Sequence, residues 1–195
     1  MPETHDHWLA TERLALRRFT VDDLDWLVGL YADADVTRFI GGLRTRTEVE
    51  DLLTKRALEY YDANPGLGMW ITIERTRGEP VGFHLLNHIW GETIIQVGYA
   101  LVKPAWGKGF ATEMAGALVR YGFVDLGLAR ITGMADLDHT ASHRVLEKIG
   151  LLRNGERAFS HPMYAEAGPL AWFERDAEPW LADTDQRRRL DAGSP

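Results

Sequence analysis

Cysteine is absent from this chain, which excludes disulfides, cysteine zinc sites and a thiol nucleophile. Serine is scarce: only Ser142, Ser160 and Ser194 occur, and none lies in the G-x-S-x-G elbow of a serine hydrolase. No apolar run approaches the ~18–20 residues of a membrane span. The opening residues, MPETHDHWLATERL, carry acids and histidines where a secretion signal carries bases and then an apolar stretch. A cytoplasmic location and no membrane partner are the expectation. The seven histidines show no H-E-x-x-H or similar ligand spacing, so no metal is expected. Net charge is −7, which disfavours broad phosphate neutralisation and hence direct nucleic-acid binding.

What is present suits one soluble globular domain. The chain has 195 residues, of which 45% are hydrophobic and 26% charged. Residues 12–19 alternate as a strand, and Thr20 precedes an acid-led helical pattern with Leu24, Leu27, Val28 and Tyr31 on one face. Thr45 and Glu48 form a capping box for a second helix to about Asp62, which NPGLG (64–68) ends. Three β-like runs follow, at 68–75, 81–89 and 93–102, separated by RGEP and WGE turns. A helix over 110–126 with Gly127 at its end, a strand at 129–135, a helix at 141–150 and strands at 151–159 and 169–175 complete the pattern. This order predicts an α/β (or α+β) fold, a mixed central sheet flanked by helices. The domain spans 1–181, and the polar stretch 182–195 is expected to be disordered.

Between strand 93–102 and helix 110–126 lies KPAWGKGFATEM (103–114). A glycine-rich turn into a helix N-terminus collects N–H groups and the positive end of the helix dipole, a physical anion site. It can equally be a plain corner. The Walker pattern G-x-x-x-x-G-K-[ST] is missing, and Gly107 and Gly109 are followed by Thr112 rather than the third glycine of a dinucleotide fingerprint. Residues 103–153 hold seven Lys/Arg against five Asp/Glu, a modest basic island in an acidic chain.

Gly107-Lys108-Gly109-Phe110-Ala111-Thr112-Glu113 resembles the acetyl-CoA pyrophosphate loop of the GCN5-related N-acetyltransferases (GNAT), in the spelling W-G-K-G-x-A-T-E of the ribosomal-protein N-terminal acetyltransferase branch. DHTASHRVLEKIG (138–150) resembles that branch's D-N-x-A-S-x-R-V-L-E-K-x-G. Gln96-Val97-Gly98-Tyr99 is similar to its E-I-G-Y, and WFERDAEPWL to its last strand and helix. The resemblance covers about residues 10–181.

It implies acetyl-CoA as cofactor and direct acetyl transfer to an amine acceptor, either a protein N-terminus or a small molecule such as an amino acid, polyamine or antibiotic. A non-catalytic acyl-CoA-binding regulator is the rival from another class. Gly107, Lys108, Gly109, Phe110, Ala111 and Thr112 would cradle the pyrophosphate. Leu101 and Val102 would pair their backbone with the pantetheine arm. Trp106 stands where relatives outside the branch carry Gln or Arg, and is suited to packing under the loop. Ser142 matches the position that protonates the leaving thiolate; by its place alone it also suits a helix cap. His139 replaces an Asn that contacts the cofactor. Gln96 occupies the position of a glutamate base, leaving Glu92, His84 and His88 as nearby alternatives. Residues 19–62 hold ten acids against five bases, which would attract a cationic acceptor. Trp70, Trp90, Tyr60 and Tyr61 are candidates to line the acceptor cleft. The C-terminal strand pair could support a homodimer.

Overall fold

A computed structural model describes residues 7–164 and 167–192. Eight strands form one sheet: β1 (Leu9–Ala10), β2 (Leu14–Arg18), β3 (Gly68–Glu74), β4 (Glu79–His88), β5 (Ile95–Leu101), β6 (Arg130–Ala135), β7 (Leu152–Arg157) and β8 (Leu170–Asp176). Their spatial order is β1-β2-β3-β4-β5-β6-β8-β7. Every neighbouring pair is antiparallel except β5 and β6, which run parallel and meet at the single register pair Gln96–Thr132. The crossover between them is α5 (Phe110–Val124).

The register sorts side chains onto two faces. On one, Leu86 and Ile131 pack against Gly122 of α5, where the missing Cβ lets helix and sheet close up. The helix α6 (Thr140–Lys148) joins α5 there, with Leu146 lying against Gly133 of β6. On the other face lie α1 (Leu24–Tyr31), α2 (Ala34–Thr37), α3 (Arg46–Leu53) and α4 (Glu59–Ala63); Asn87 of β4 turns that way. Leu14, Leu16, Leu27, Val49, Ile71, Leu118 and Phe173 are wholly buried between these layers. Cutting one such leucine to alanine costs about 2–5 kcal/mol.

Four local features differ from the pattern read in the sequence. The first helix begins as a 3-10 turn at Val21–Asp23, because the Asp23 carboxylate is drawn to the Arg17 guanidinium (2.7 and 2.8 Å) and the Thr20 N–H (2.8 Å). The second helix starts on its capping box, with Glu48 accepting from the Thr45 N–H at 2.7 Å. It then widens into a π-turn at Thr54–Leu58 before continuing as α4. Of the polar stretch 182–195, expected to be disordered, residues 182–192 lie in α7 (Ala177–Ala192), which Trp180 anchors by donating to the Ile149 carbonyl at 3.0 Å, and 193–195 lie outside the described residues. Finally, β1 pairs with β2 although two residues are too short to announce a strand.

His84 and Trp70 belong to the α5 face rather than to an acceptor cleft. Trp70 stacks on Trp8, with centroids 4.2 Å apart, and is buried. His84 is wholly buried and bonds Thr72 through Nδ1 at 2.7 Å. Burial pushes its pKa down from 6.5 to about 3, with the Ala111 backbone offsetting only part of that. The ring therefore stays neutral in the fold and titrates only after unfolding between these values. Below about pH 6.5 the unfolded chain binds the extra proton, so stability falls with pH by up to about 1.4 kcal/mol per unit. Thermal midpoints measured from pH 7 to 4.5 should drop steeply for the native chain and less steeply for His84→Asn.

Candidate active site

Strand β5 is the spine of the site. Val102 donates its N–H to the Val81 carbonyl at 3.0 Å, which makes residues 102, 100, 98 and 96 the ones whose backbone serves β4. Tyr99 and Leu101 consequently turn their N–H and C=O toward β6. Beyond Gln96–Thr132 the two parallel strands share no further register pair, so that edge opens as a splay. The Leu101 carbonyl is occupied: the Trp106 indole donates to it at 2.7 Å. Val102 accepts from the Ala105 N–H as well. Its backbone is thus spent inside the protein, contrary to the pairing expected for it. The groups that face the opening belong to Tyr99 and Leu101.

The loop after β5 is fixed from below. Phe110 is buried, and the Arg13 guanidinium lies 4.9 Å from its ring centre. Arg13 also donates to the Lys108 carbonyl at 2.9 Å and to Glu113 at 2.7 Å. Burial works to raise the Glu113 carboxyl, but the Thr11 hydroxyl and Arg13 outweigh it and hold the group below the usual carboxylate range. Gly107 and Gly109 take φ of +72° and +80°, a region in which a Cβ is costly. No N–H from Gly107 to Thr112 donates to a protein acceptor among the described residues. Six consecutive donors at the positive end of α5, with open space over Gly107, fit a polyanion such as a pyrophosphate. From Thr112 a groove of about 180 Å³ continues past Gly116 and Lys148 toward α7.

Across the splay, Ser142 is buried at the third position of α6. Its Oγ lies 2.9 Å from the Tyr99 hydroxyl, and it does not cap the helix. Burial pushes the Tyr99 phenol up to about 12, with Ser142 acting the other way, so the hydroxyl keeps its proton. His139 is the residue that leads into α6. Its ring stacks on Phe39 (3.9 Å), and Arg38 pairs with Asp138 at 3.1 Å, so the turn after α2 folds over the start of α6. Burial, then His143, holds the His139 pKa below its ordinary value, which leaves a neutral ring able to donate or accept.

On the helical face, Gln96 is buried and its amide reaches Asn87 Oδ1 at 3.4 Å. Arg56, from the π-turn, donates to the same oxygen at 2.8 Å and to the His88 carbonyl at 2.7 Å. Tyr60 accepts the His88 N–H at 2.9 Å and hydrogen-bonds its Nδ1 at 2.5 Å. Glu92 sits in the β4–β5 turn and is held by Arg157 at 2.9 Å, so the carboxylate is engaged away from Gln96. Tyr61 spends its hydroxyl on the backbone of Phe19 and Met69. Trp90 does face this side, stacked on His161 with Arg56 over its ring at 4.4 Å. Tyr99, Arg56 and Asn87 were not singled out from the sequence. Tyr99 lies inside the Q-V-G-Y motif, whereas nothing in the pattern of a helix or strand marks Arg56 or Asn87.

The acetyltransferase (GNAT) domain family matches residues 13–152. The uncharacterized N-acetyltransferase YoaA of Bacillus subtilis (strain 168) is 30% identical over 151 residues, 75% of this chain and 84% of that protein. Among solved structures, a GNAT-family acetyltransferase from Bacillus anthracis shares the fold with a TM-score of 0.71 at 26% identity, over 87% of this chain and 98% of that one. A spermidine N-acetyltransferase from Vibrio cholerae, in complex with CoA and spermine, reaches 0.68 at 15% identity, over 88% and 99%. The chain belongs to the GNAT acetyltransferase domain family. It is an acetyl-CoA-dependent N-acetyltransferase, and the donor-rich loop fits the CoA that this class uses. Among the described residues no helix is long and apolar enough to cross a membrane.

Substituting Gly109 by alanine tests the cradle. The strained φ costs about 1–2 kcal/mol unless the loop shifts its N–H groups. Calorimetric titration with CoA should show affinity weakened by about tenfold, with thermal stability lowered only modestly.

Proposed function

We propose that the chain transfers acetyl directly to an amine of low pKa, a peptide N-terminal α-amine in the first place, as in the ribosomal-protein N-terminal acetyltransferase branch. One observation carries this reading: among the described residues Gln96, at the apex of the splay, has no carboxylate partner, and Glu92 is tied to Arg157. A lysine side chain must give up about 3.4 pK units to be neutral at pH 7, roughly 4.6 kcal/mol. An α-amine at ~7.7–8.0 needs about 1 kcal/mol. A site without a strong base therefore serves the α-amine far better.

Acetyl-CoA supplies the acetyl group as a thioester. Gly107 to Thr112 would hold its pyrophosphate through their N–H groups, with Lys108 and, further along the groove, Lys148 adding positive charge. The Leu101 N–H and the Tyr99 backbone, turned into the splay, would align the arm and polarise the carbonyl. Ser142 would give its proton to the departing thiolate and recover one from Tyr99, whose high pKa keeps it protonated at pH 7; the proton that the amine nitrogen loses as the amide forms passes to water, and water restores the Tyr99 hydroxyl. The neutral His139, stacked on Phe39, would orient the cofactor beside the start of α6. The branch assignment rests on the spelling of the two motifs, 103–114 and 138–150.

Two measurements test this. Release of free CoA should be faster with peptides bearing a free α-amine than with N-blocked lysine peptides or polyamines, and the reverse order would sink the proposal. Ser142→Ala and Tyr99→Phe should each lower kcat by about 10²-fold, at nearly unchanged CoA affinity. The double variant should lose little more than either, since the two hydroxyls act in series.

A further inference from the structure

Six of the ten acids of residues 19–62, which suggested a cationic acceptor, are taken by partners close by. Asp23 pairs with Arg17, Asp25 with Arg46, Asp51 with Lys55, and both Asp33 and Asp35 with Lys103. Glu48 is spent on the Thr45 cap. These carboxylates are committed to neighbouring bases or to a helix end.

What faces inward is a cation. Arg56 is 8% exposed, and among the described residues it forms no ion pair with a carboxylate. Burial pushes its pKa down; the groups that favour its charge are the hydroxyls of Tyr60, Tyr164 and Tyr31. A buried charge without a counter-ion is expensive, and an arginine left so is held ready for an anion. Its surroundings have the same character. Asn87 is wholly buried with its Oδ1 taken by Arg56, and its Nδ2 has no partner among the described residues. Arg44, beside Tyr31, likewise has a buried Nε with none. The donors converge where helix geometry is irregular: Arg56 sits in the π-turn Thr54–Leu58, a form that recurs at functional sites. Through Asn87 the cluster is one hydrogen bond from Gln96 at the apex of the splay.

We propose that Arg56 and Asn87 form an anion subsite that reads a carboxylate on the acceptor, close to the amine that is acetylated. The inference rests on the splay being the transfer site. A guanidinium and an amide N–H suit the two oxygens of a carboxylate. The source is either the α-carboxylate of a free amino acid or an Asp or Glu side chain at the start of a peptide. In both cases the carboxylate stands a few bonds from an amine of low pKa.

The experiment compares CoA release with acceptor pairs that differ only in charge: an amino acid against its amide, and a Glu-initiated tripeptide amide against its Gln counterpart. The native enzyme should favour the charged member of at least one pair by about 30-fold in kcat/KM. The preferred pair identifies the source. Arg56→Met should shrink that ratio toward one, mainly through KM, while Arg56→Lys restores part of it. Asn87→Asp, which offers Arg56 an internal carboxylate, should erase the preference with the cation still in place. CoA affinity measured on each variant reports that the fold is intact. Equal use of both members in every pair, or an unchanged ratio in Arg56→Met, overturns the subsite while transfer itself stands. No CoA release with any amine refutes the transfer reading, and the subsite with it.

Discussion

Strands β5 and β6 are held together at Gln96–Thr132 and then part, and the consequences of that parting reach the rest of the molecule. Parallel neighbours need a crossover, and a right-handed crossover through α5 starts that helix beside the carboxyl end of β5. The unpaired edge of β5 and the unsatisfied N–H groups of the α5 N-terminus then lie in one crevice, the place where open α/β sheets take ligands. Had the strands paired to their ends, the backbone groups of Tyr99 and Leu101 would be consumed by the sheet. The remaining elements secure the opening. Trp106 closes the Leu101 carbonyl, Arg13 and Phe110 pin the loop, and the packing of α6 brings Ser142 to Tyr99.

The two walls of the crevice work by different means. The donor-rich wall is mostly backbone: glycine loop, helix end and strand edge, all sources of N–H groups whose positions follow from main-chain geometry. The opposite wall is built from side chains, Gln96, Asn87, Arg56 and Tyr60, each placed by a different element. A backbone site can stay constant while the side-chain wall changes. Burial serves both walls by fixing protonation: Tyr99 is kept neutral, and His84, behind the sheet, is kept uncharged under α5.

Much of the donor-rich wall was legible because its backbone depends on local rules. Gly107 and Gly109 marked the positive-φ loop, the alternation of 93–102 marked the strand before it, and the run after Asp138 marked α6. Errors arose where a residue's role depends on what lies across the sheet. Trp70 and His84 lie on strands beside the site, yet period-two alternation sends them to the α5 face. Ser142 by its place near a helix start suited a cap as well as catalysis, and only Tyr99, 43 residues earlier, shows where its hydroxyl is engaged. The backbone of Val102 is spent on Val81 and Ala105. The stretch 182–192 is polar enough to read as disorder, yet it continues a helix that Trp180 ties to the Ile149 carbonyl.

The sequence by itself determined the element order, the mixed sheet and the glycine loop into α5, since hydrophobic period, glycine and capping residues act over a few neighbouring positions. The tertiary structure decided which wall each polar residue joins and which charges are spent. The acids of residues 19–62 outnumber the bases two to one, yet most of them are neutralised by cations such as Lys103 and Arg17, or by a helix cap. Among the described residues, Arg56 faces inward with no carboxylate paired to it. A composition counts charges without regard to position; pairing depends on distance, and distance is set only when the helices close on the sheet.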